Sequence, residues 1–148
     1  MRPETIADIV QRSRDDPDWD FHLREFLDGF YKADGNLACQ SAMITGDPGL
    51  TNDEKADAFL GGVAEHLARR WRLPIPGWVR QDCRYLTRPM FVPDDRPLKP
   101  FLMIASPVAF RTRLIFTGPD PLQRARFPYQ RGVVAFSTSM PPDPSRPR

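Results

Sequence analysis

The side chains best suited to metal binding or nucleophilic chemistry are two histidines and two cysteines, His22, His66, Cys39 and Cys83. No two of them have the short spacing at which side chains usually anchor zinc. Glu65 and His66 do not begin a His-Glu-x-x-His helix, because arginines occupy positions 69 and 70. We therefore expect no metal site and no cofactor, and we expect both histidines at the edge of a helical core.

Cys83 is a possible nucleophile, because the arginine that follows it would favour a reactive thiolate. A nucleophile also needs a base and an oxyanion site, and the sequence identifies neither. We expect a half-buried structural thiol instead. Cys39 and Cys83 are too few and too far apart for a disulfide framework, which fits a reducing cytoplasm.

Two further motifs are weak indications of catalysis. Phe136-Ser137-Thr138-Ser139 resembles the Ser-Thr-Ser strand of ADP-ribosyltransferases, but those enzymes need a glutamate well downstream. Only nine residues follow Ser139, and the acid among them is Asp143. Gly61-Gly62 lies inside a helical pattern, which predicts close helix packing rather than a phosphate loop. We therefore predict that the protein is not an enzyme.

Charge divides the chain into an acidic and a basic half. Residues 1–60 contain six Lys or Arg against thirteen Asp or Glu, a net charge of −7, whereas residues 61–148 contain fifteen against six, a net charge of +9. Eighteen of the twenty-one basic residues are Arg, which can hold carboxylates and phosphates in bidentate fashion. An acidic protein and a nucleic acid are both eligible partners, unless the two halves neutralise each other within the fold.

The basic half is the candidate binding surface. Its arginines alternate with aromatic residues, a mixture that can engage nucleic acid or an acidic protein. Neither a compact helix-turn-helix nor an RNA-recognition motif is present, so a protein is the preferred partner. We predict partner binding by Arg69, Arg70, Arg72, Trp78, Arg84, Arg111, Arg113, Arg124 and Arg126.

The elements that must position these residues are mainly helices. Apolar spacing predicts a short helix to about residue 14, a second from 17 or 18 to a stop at Asp34-Gly35, and a third over 36–44. A long amphipathic helix follows, with a capping box formed by Thr51 and Glu54 and a stop at Pro74. Three of the predicted binding arginines lie in its last turns, where cations complement the helix dipole.

Prolines interrupt the second half, which predicts short elements. We expect one helical turn over 82–86, an extended segment over 89–91, a helix over 97–105 and a small strand over 132–136. Ser106 and Pro107 have the types of an N-cap and first helical residue, and they predict a helix to about Arg113. The predicted fold class is mainly α: one compact helical domain over 1–139, with a disordered Pro- and Arg-rich tail over 140–148.

From about Phe26 to Phe127, the order of motifs resembles a bacterial family of small helical, antitoxin-like proteins and C-terminal domains found near toxin-antitoxin loci. The matching segments are Gly46-Asp47-Pro48, Ala56, Ala64-Glu65-His66-Leu67-Ala68, Leu73-Pro74-Ile75-Pro76-Gly77-Trp78, Arg84-Tyr85-Leu86, Pro89-Met90-Phe91, Ser106-Pro107-Val108-Ala109-Phe110-Arg111, Arg113 and Ile115-Phe116. In family members that act as regulators, this module follows an N-terminal helix-turn-helix. The chain has no room for a separate one, so the resemblance implies partner binding rather than operator binding.

The resemblance implies a non-enzymatic antitoxin or accessory subunit that binds and neutralises a cognate toxin, encoded by an adjacent gene. The acidic helices could cover a basic cleft of the toxin, or the Arg-rich half could insert anchors into it. The alternatives are a nucleic-acid-binding regulator that uses the basic half, and an enzyme with a deep pocket at His66 or Cys83. No apolar run has the length of a signal peptide or a membrane span, so we expect a cytoplasmic protein without membrane contact.

Overall fold

The protein is mainly helical, as the sequence predicts, in a computed structural model that describes residues 2–124. The α-helices of this part are α1 Ile6–Ser13, α2 Trp19–Lys32, α3 Leu37–Thr45, α4 Glu54–Trp71, α5 Lys99–Ala105 and α6 Val108–Arg111. Its strands are β1 Met90–Val92 and β2 Ile115–Thr117, and its 3₁₀ turns are Gly77–Arg80, Asp82–Arg84 and Arg96–Leu98. The predictions for the strand over 132–136, the tail over 140–148 and Arg126 lie outside the described residues.

The first three helices form where their caps and apolar faces predict them. α1 has a capping box in which the Thr5 hydroxyl accepts from the backbone N–H of Asp8, and the Asp8 carboxylate accepts from that of Thr5. Asp18 caps α2 and Asn36 caps α3, each accepting a backbone N–H three residues on at 3.1 Å. Each of the three helices therefore begins at a residue whose side chain caps it, and α1 and α2 also bury an apolar face.

The predicted capping box of α4 is wrong. The N-cap is Asp53, whose carboxylate accepts from two first-turn backbone amides at 3.0 and 3.4 Å. Thr51 lies ahead of the helix and donates its hydroxyl to Asp57 at 2.8 Å, and its backbone N–H donates to the same carboxylate at 2.7 Å. Thr51 therefore fixes the entry into α4 from outside the first turn.

α4 is the central helix of the core, and most of its residues are buried. One continuous cluster of buried apolar side chains runs from Ile6 in α1 through α2 and α4 to Leu122. α6 packs closely on α4 at Gly62, where an added Cβ would lie 2.7 Å from Cδ1 of Phe110. This confirms the predicted role of Gly61-Gly62 in close helix packing.

α4 ends at Trp71. Its C-cap, Arg72, takes the left-handed conformation (φ 57°) that usually favours glycine, and Pro74 follows two residues later. The segment beyond it returns across the core through two 3₁₀ turns to β1. β1 and β2 pair in parallel, with Met90 opposite Ile115 and Val92 opposite Thr117. The second half therefore adds short elements to one side of α4.

Ser106 is predicted as the N-cap of α6, and this prediction is wrong. Its buried hydroxyl accepts from the backbone N–H of Thr117 at 2.8 Å and lies within hydrogen-bonding distance of the carbonyl oxygens of Leu102 and Thr117. α6 begins without a side-chain cap and ends at Arg111, two residues earlier than predicted. The hydroxyl is used instead to join the end of α5 to β2.

Candidate functional site

Arg84 is fully buried, so its predicted place on an exposed binding surface is wrong. Its guanidinium donates to the carbonyl oxygens of Gly49 at 2.8 Å and Asp57 at 3.3 Å, and it stacks 4.7 Å from the ring centroid of Trp78. The carboxylate of Asp47 lies 3.7 Å away. Arg84 therefore ties the loop before α4 to the first turns of that helix.

Arg113 is also fully buried, and the same prediction is wrong for it. Its guanidinium pairs with Glu65 at 2.9 Å and donates to the carbonyl oxygens of Ala109 at 2.7 Å and Val79 at 2.6 Å. Burial opposes ionisation of Glu65, but hydrogen bonds from Arg113 and Arg69 outweigh it and hold the pKa of that carboxyl below its usual range. The pair is therefore an ionised link between α4, α6 and the 3₁₀ turn Gly77–Arg80.

The two buried guanidinium groups leave no room for a ligand between them. Their Nε atoms have no hydrogen-bond partner among the described residues, which could indicate an anion site. However, an added Cβ at Gly61 would lie 3.1 Å from Cβ of Arg84 and 3.2 Å from Nε of Arg113. The backbone of α4 fills the space against which both side chains pack, so we assign the two arginines a structural role.

Trp78 is buried too, so its predicted place on an exposed binding surface is wrong. Its indole N–H donates to the carbonyl oxygen of Ile44 at 3.0 Å. Arg70 pairs with Asp120 at 3.1 Å. Arg124 makes a bidentate contact with Asp28 at 2.9 and 3.2 Å. Arg70 and Asp120 both belong to the basic half, whereas Asp28 belongs to the acidic half, so the pair of Arg124 with Asp28 is the one of these two by which the halves neutralise each other in part within the fold.

The remaining predicted binding residues of the described part are exposed, but only two are available for a partner. Arg69 pairs with Glu65 at 2.9 Å. Arg72 and Arg111 have no ion pair among residues 2–124. The predicted set is therefore not brought together as one surface: it divides into core, intramolecular pairs and two separate exposed cations.

His66 is buried at the edge of the core, as expected, and so is His22. Burial, assisted by the positive charge of Arg70, lowers the pKa of His66 to about 3. The adjoining cavity is lined by Tyr31, His66, Arg70 and Asp120 among others. The centre of a water molecule could occupy about 10 Å³ of it. That space accommodates about one water molecule. It is too small to serve as a substrate pocket.

Cys83 is exposed rather than half-buried, and its thiol lies 3.8 Å from the side-chain oxygen of Gln81. An amide oxygen is not a general base, so this contact does not activate the thiol. Within residues 2–124, no group of three or more His, Cys, Asp or Glu side chains is placed to hold a metal ion.

The most unusual surface of the described part is an exposed apolar face around α5. Nine large apolar side chains are exposed in this part, and six of them lie within residues 92–108. Ile104 is 81% exposed, Phe101 56% and Met103 51%, whereas Leu102 is the buried side chain of this helix. We define the apolar face as Val92, Leu98, Phe101, Met103, Ile104 and Val108.

Exposed cations border the apolar face at both ends. Arg96 begins the 3₁₀ turn that leads directly into α5. Nη1 of Arg111 lies 3.5 Å from the carbonyl oxygen of Ile104, at the other end of the helix. Lys99 lies over the ring of Phe91 at 4.8 Å and pairs with Asp94 at 3.5 Å. The site therefore combines uncovered hydrophobic side chains with two guanidinium groups that have no ion pair among the described residues.

Comparisons with protein-family models, with curated proteins and with solved structures found no match to this chain. The resemblance to antitoxin-like proteins therefore stays a prediction from the sequence. Among residues 2–124, no helix has the length and apolar character needed to cross a bilayer. The geometry of the described residues is the basis for assigning a function.

The apolar face does not follow from the sequence pattern. The pattern predicts the helix over 97–105 and its apolar residues, but apolar type alone does not say which side chains another element will cover. The available signal was the run Phe101-Leu102-Met103-Ile104, which is apolar on every side of a helix. Such a helix is normally surrounded by protein. In the described part, the seven residues of α5 have one buried side chain, so most of the surface of this helix is left uncovered.

Proposed function

We propose that the protein is a non-enzymatic protein-binding module, and more specifically the antitoxin or accessory subunit of a two-gene system that binds and neutralises a toxin enzyme. The observation that supports binding is the apolar face around α5. A concentration of exposed large apolar side chains in one segment is typical of an interaction site. The antitoxin role rests additionally on the resemblance seen in the sequence.

The candidate chemical groups fit catalysis poorly. His66 adjoins a space for about one water molecule, and a substrate cannot reach it there without movement of the surrounding chain. Cys83 has an amide oxygen as its nearest side-chain partner among the described residues. Neither arrangement pairs a nucleophile with a base, which supports a binding role over an enzymatic one.

The contacts of the arginines favour a protein partner over nucleic acid. Arg84 and Arg113 are in the core, and Arg70 and Arg124 are engaged by Asp120 and Asp28. Four of the cations on which nucleic-acid binding would depend are therefore already occupied. Of the two predicted mechanisms, anchors inserted from the second half fit better than a cleft covered by the acidic helices, because the apolar face lies in the second half.

Co-expression with the product of the adjacent gene tests this function. We expect the two proteins to co-elute in size-exclusion chromatography, and we expect this chain to relieve any growth inhibition that the neighbour causes alone. A mobility-shift assay at low salt is the parallel test of the nucleic-acid alternative. No co-elution combined with a salt-sensitive nucleic-acid complex would replace the proposed function with that alternative.

A further inference from the structure

We infer that the apolar face binds an amphipathic helix of a partner protein, whose apolar side is bordered by Asp or Glu. This inference rests on the proposed protein-binding function and specifies the chemistry of its partner. Three features carry it: the fixed position of α5, its uncovered apolar side chains, and the cations at its two ends.

α5 is attached to the rest of the fold on the side opposite its exposed residues. Leu102 anchors α5 from below with 2% exposure, and Ser106 joins the end of α5 to β2. α6 continues from α5 and is held on α4 by the close contact between Phe110 and Gly62. A surface that is ordered before binding loses less conformational entropy when a partner docks. The exposed side chains of α5 therefore lie on a helix whose opposite side is attached to the fold at Leu102 and Ser106.

The apolar face has the side chains that act as anchors in helix recognition. Phe101 and Ile104 lie three residues apart, so both project from the same side of α5. Leu98 ends the 3₁₀ turn before α5 and Val108 begins α6, and both side chains are exposed as well. A partner helix that places its own apolar residues at similar spacing can pack against this row.

Charge specifies which amphipathic helix fits. Arg96 and Arg111 border the face at opposite ends of α5, and neither has an ion pair among residues 2–124. Lys99 pairs with Asp94, whereas Asp95, which is exposed and precedes Arg96, has no ion pair among residues 2–124. Carboxylates flanking the partner's apolar side would pair with the two guanidinium groups.

The same charges disfavour two other occupants. If two copies paired their α5 helices antiparallel, Arg96 of one copy would approach Arg111 of the other, and like charges would repel. An anionic lipid surface would meet the like charge of Asp95, which lies next to Arg96 at the start of α5. A partner helix can place its carboxylates only beside Arg96 and Arg111, so it avoids both of these repulsions.

The test uses the full chain and two synthetic, fluorescein-labelled helical peptides. Both have the same leucine-rich side, and this side is flanked by Glu in one peptide and by Lys in the other. Fluorescence anisotropy should show the Glu peptide binding at least about tenfold more tightly than the Lys peptide, with the difference shrinking as salt is added. Equal affinity for both peptides, or no binding of the Glu peptide, overturns the inference.

Surface variants locate the binding. The double variant Phe101→Ser and Ile104→Ser should weaken binding of the Glu peptide by about tenfold or more, because it removes the two anchors. Both side chains are exposed, so the fold should be retained, which circular dichroism checks. Leu37→Ser is the matched control, since Leu37 is an exposed apolar residue of α3 and should have no effect. Equal losses in the two variants overturn the inference.

Charge reversal gives a second test that does not depend on the apolar side chains. Arg96→Glu combined with Arg111→Glu should reverse the preference, so that the Lys peptide binds more tightly. The control is Arg14→Glu, which changes an exposed arginine at the end of α1 and should leave the preference unchanged. An unchanged preference in the double variant overturns the role of the two cations.

Two outcomes identify the rejected occupants. Sedimentation with vesicles of phosphatidylcholine and phosphatidylserine that is lost in the Phe101→Ser and Ile104→Ser variant would indicate a lipid surface. A dimer that the same variant dissociates would indicate a second copy.

The same variant separates failure of this inference from failure of the proposed function. If a co-expressed partner binds the wild type and the Phe101→Ser and Ile104→Ser variant equally, this inference fails while the proposed function stands. If the Glu peptide binds but no co-expressed partner does, only the proposed function fails.

Discussion

At the scale of single residues, the arginines show how location, rather than residue type, determines a role. Arg111 and Arg113 are two positions apart, yet Arg111 is exposed beside α5 and Arg113 is fully buried against Glu65. Removing one member of a buried ion pair leaves an uncompensated charge, whereas removing an exposed charge leaves little unsatisfied. The two positions should therefore respond very differently to the same substitution.

We predict that Arg113→Ala lowers the free energy of unfolding by about 3–5 kcal/mol, because Glu65 stays buried and the carbonyl oxygens of Val79 and Ala109 lose their donor. Arg111→Ala should change it by no more than about 0.5 kcal/mol. Urea unfolding followed by circular dichroism measures both. Similar losses for the two variants would contradict the structural role of Arg113.

His66 predicts a dependence of stability on pH. Burial lowers its pKa from 6.5 to about 3 in the folded protein. Below pH 6.5 the unfolded chain takes up a proton that the folded protein excludes, so stability is full above this pH and falls as the pH decreases toward 3. One such group contributes a slope of up to about 1.4 kcal/mol per pH unit.

The corresponding variant is His66→Gln. Between about pH 6.5 and pH 5, we expect the free energy of unfolding of the wild type to fall more steeply with acid than that of the variant. Urea titrations at several pH values give both slopes. Parallel slopes, or a ring resonance of His66 that titrates near neutral pH in nuclear magnetic resonance, would show that the imidazole is not excluded from water.

Sequence alone could place His66 at the edge of the core, because its neighbours Val63 and Leu67 belong to the apolar stripe of α4. It could not reveal the burial of Arg113. The partners that compensate this charge are Glu65 and a carbonyl oxygen at Val79, 48 and 34 positions away. Only the tertiary fold brings donors and acceptors at such separations together.

At the scale of elements, the helix pattern was largely predictable because apolar spacing and caps are local. The N-cap of α4 was not, since Thr51 and Asp53 are both capping residue types and the choice depends on Asp57, which engages Thr51. The exposed state of α5 was also hidden, because it depends on what packs against that helix. The contact of α4 with α6 was predictable in part. Gly61-Gly62 indicated that another element approaches α4 closely, but not that Phe110 makes the contact.

That contact predicts opposite effects for two glycine-to-alanine substitutions. Gly62→Ala would place a Cβ 2.7 Å from the Phe110 ring, and we expect a loss of about 1–3 kcal/mol through overpacking. Gly29→Ala in α2 would meet its nearest neighbour, Cε of Met43, at 3.8 Å, and helix propensity should add about 1 kcal/mol of stability. Thermal unfolding of both variants checks the pair. A gain in stability for Gly62→Ala would mean that α6 is not held closely on α4.

At the scale of the whole molecule, the acidic and basic halves are interlocked. Trp78 donates to the carbonyl oxygen of Ile44, Arg84 to that of Gly49, and Arg124 holds Asp28 of α2. Each contact joins a residue after α4 to a residue before it. The charge division seen in the sequence is therefore used partly within the fold, whereas Arg72, Arg96 and Arg111 are exposed and have no ion pair among residues 2–124.

A chain interlocked in this way should unfold in one step, which also tests the prediction of a single domain. Trp19 lies in α2, Trp71 in α4 and Trp78 in the 3₁₀ turn beyond α4, and all three belong to or pack against the same apolar cluster. Tryptophan fluorescence and far-ultraviolet circular dichroism should therefore give the same urea midpoint. Trp19→Phe and Trp78→Phe change which part of the molecule the fluorescence reports, and in each variant the two signals should still coincide. In Trp19→Phe, the fluorescence comes from Trp71 and Trp78. If it changed at a lower urea concentration than the circular dichroism signal, the second half would unfold separately, and the contacts across α4 would be too weak to join the halves.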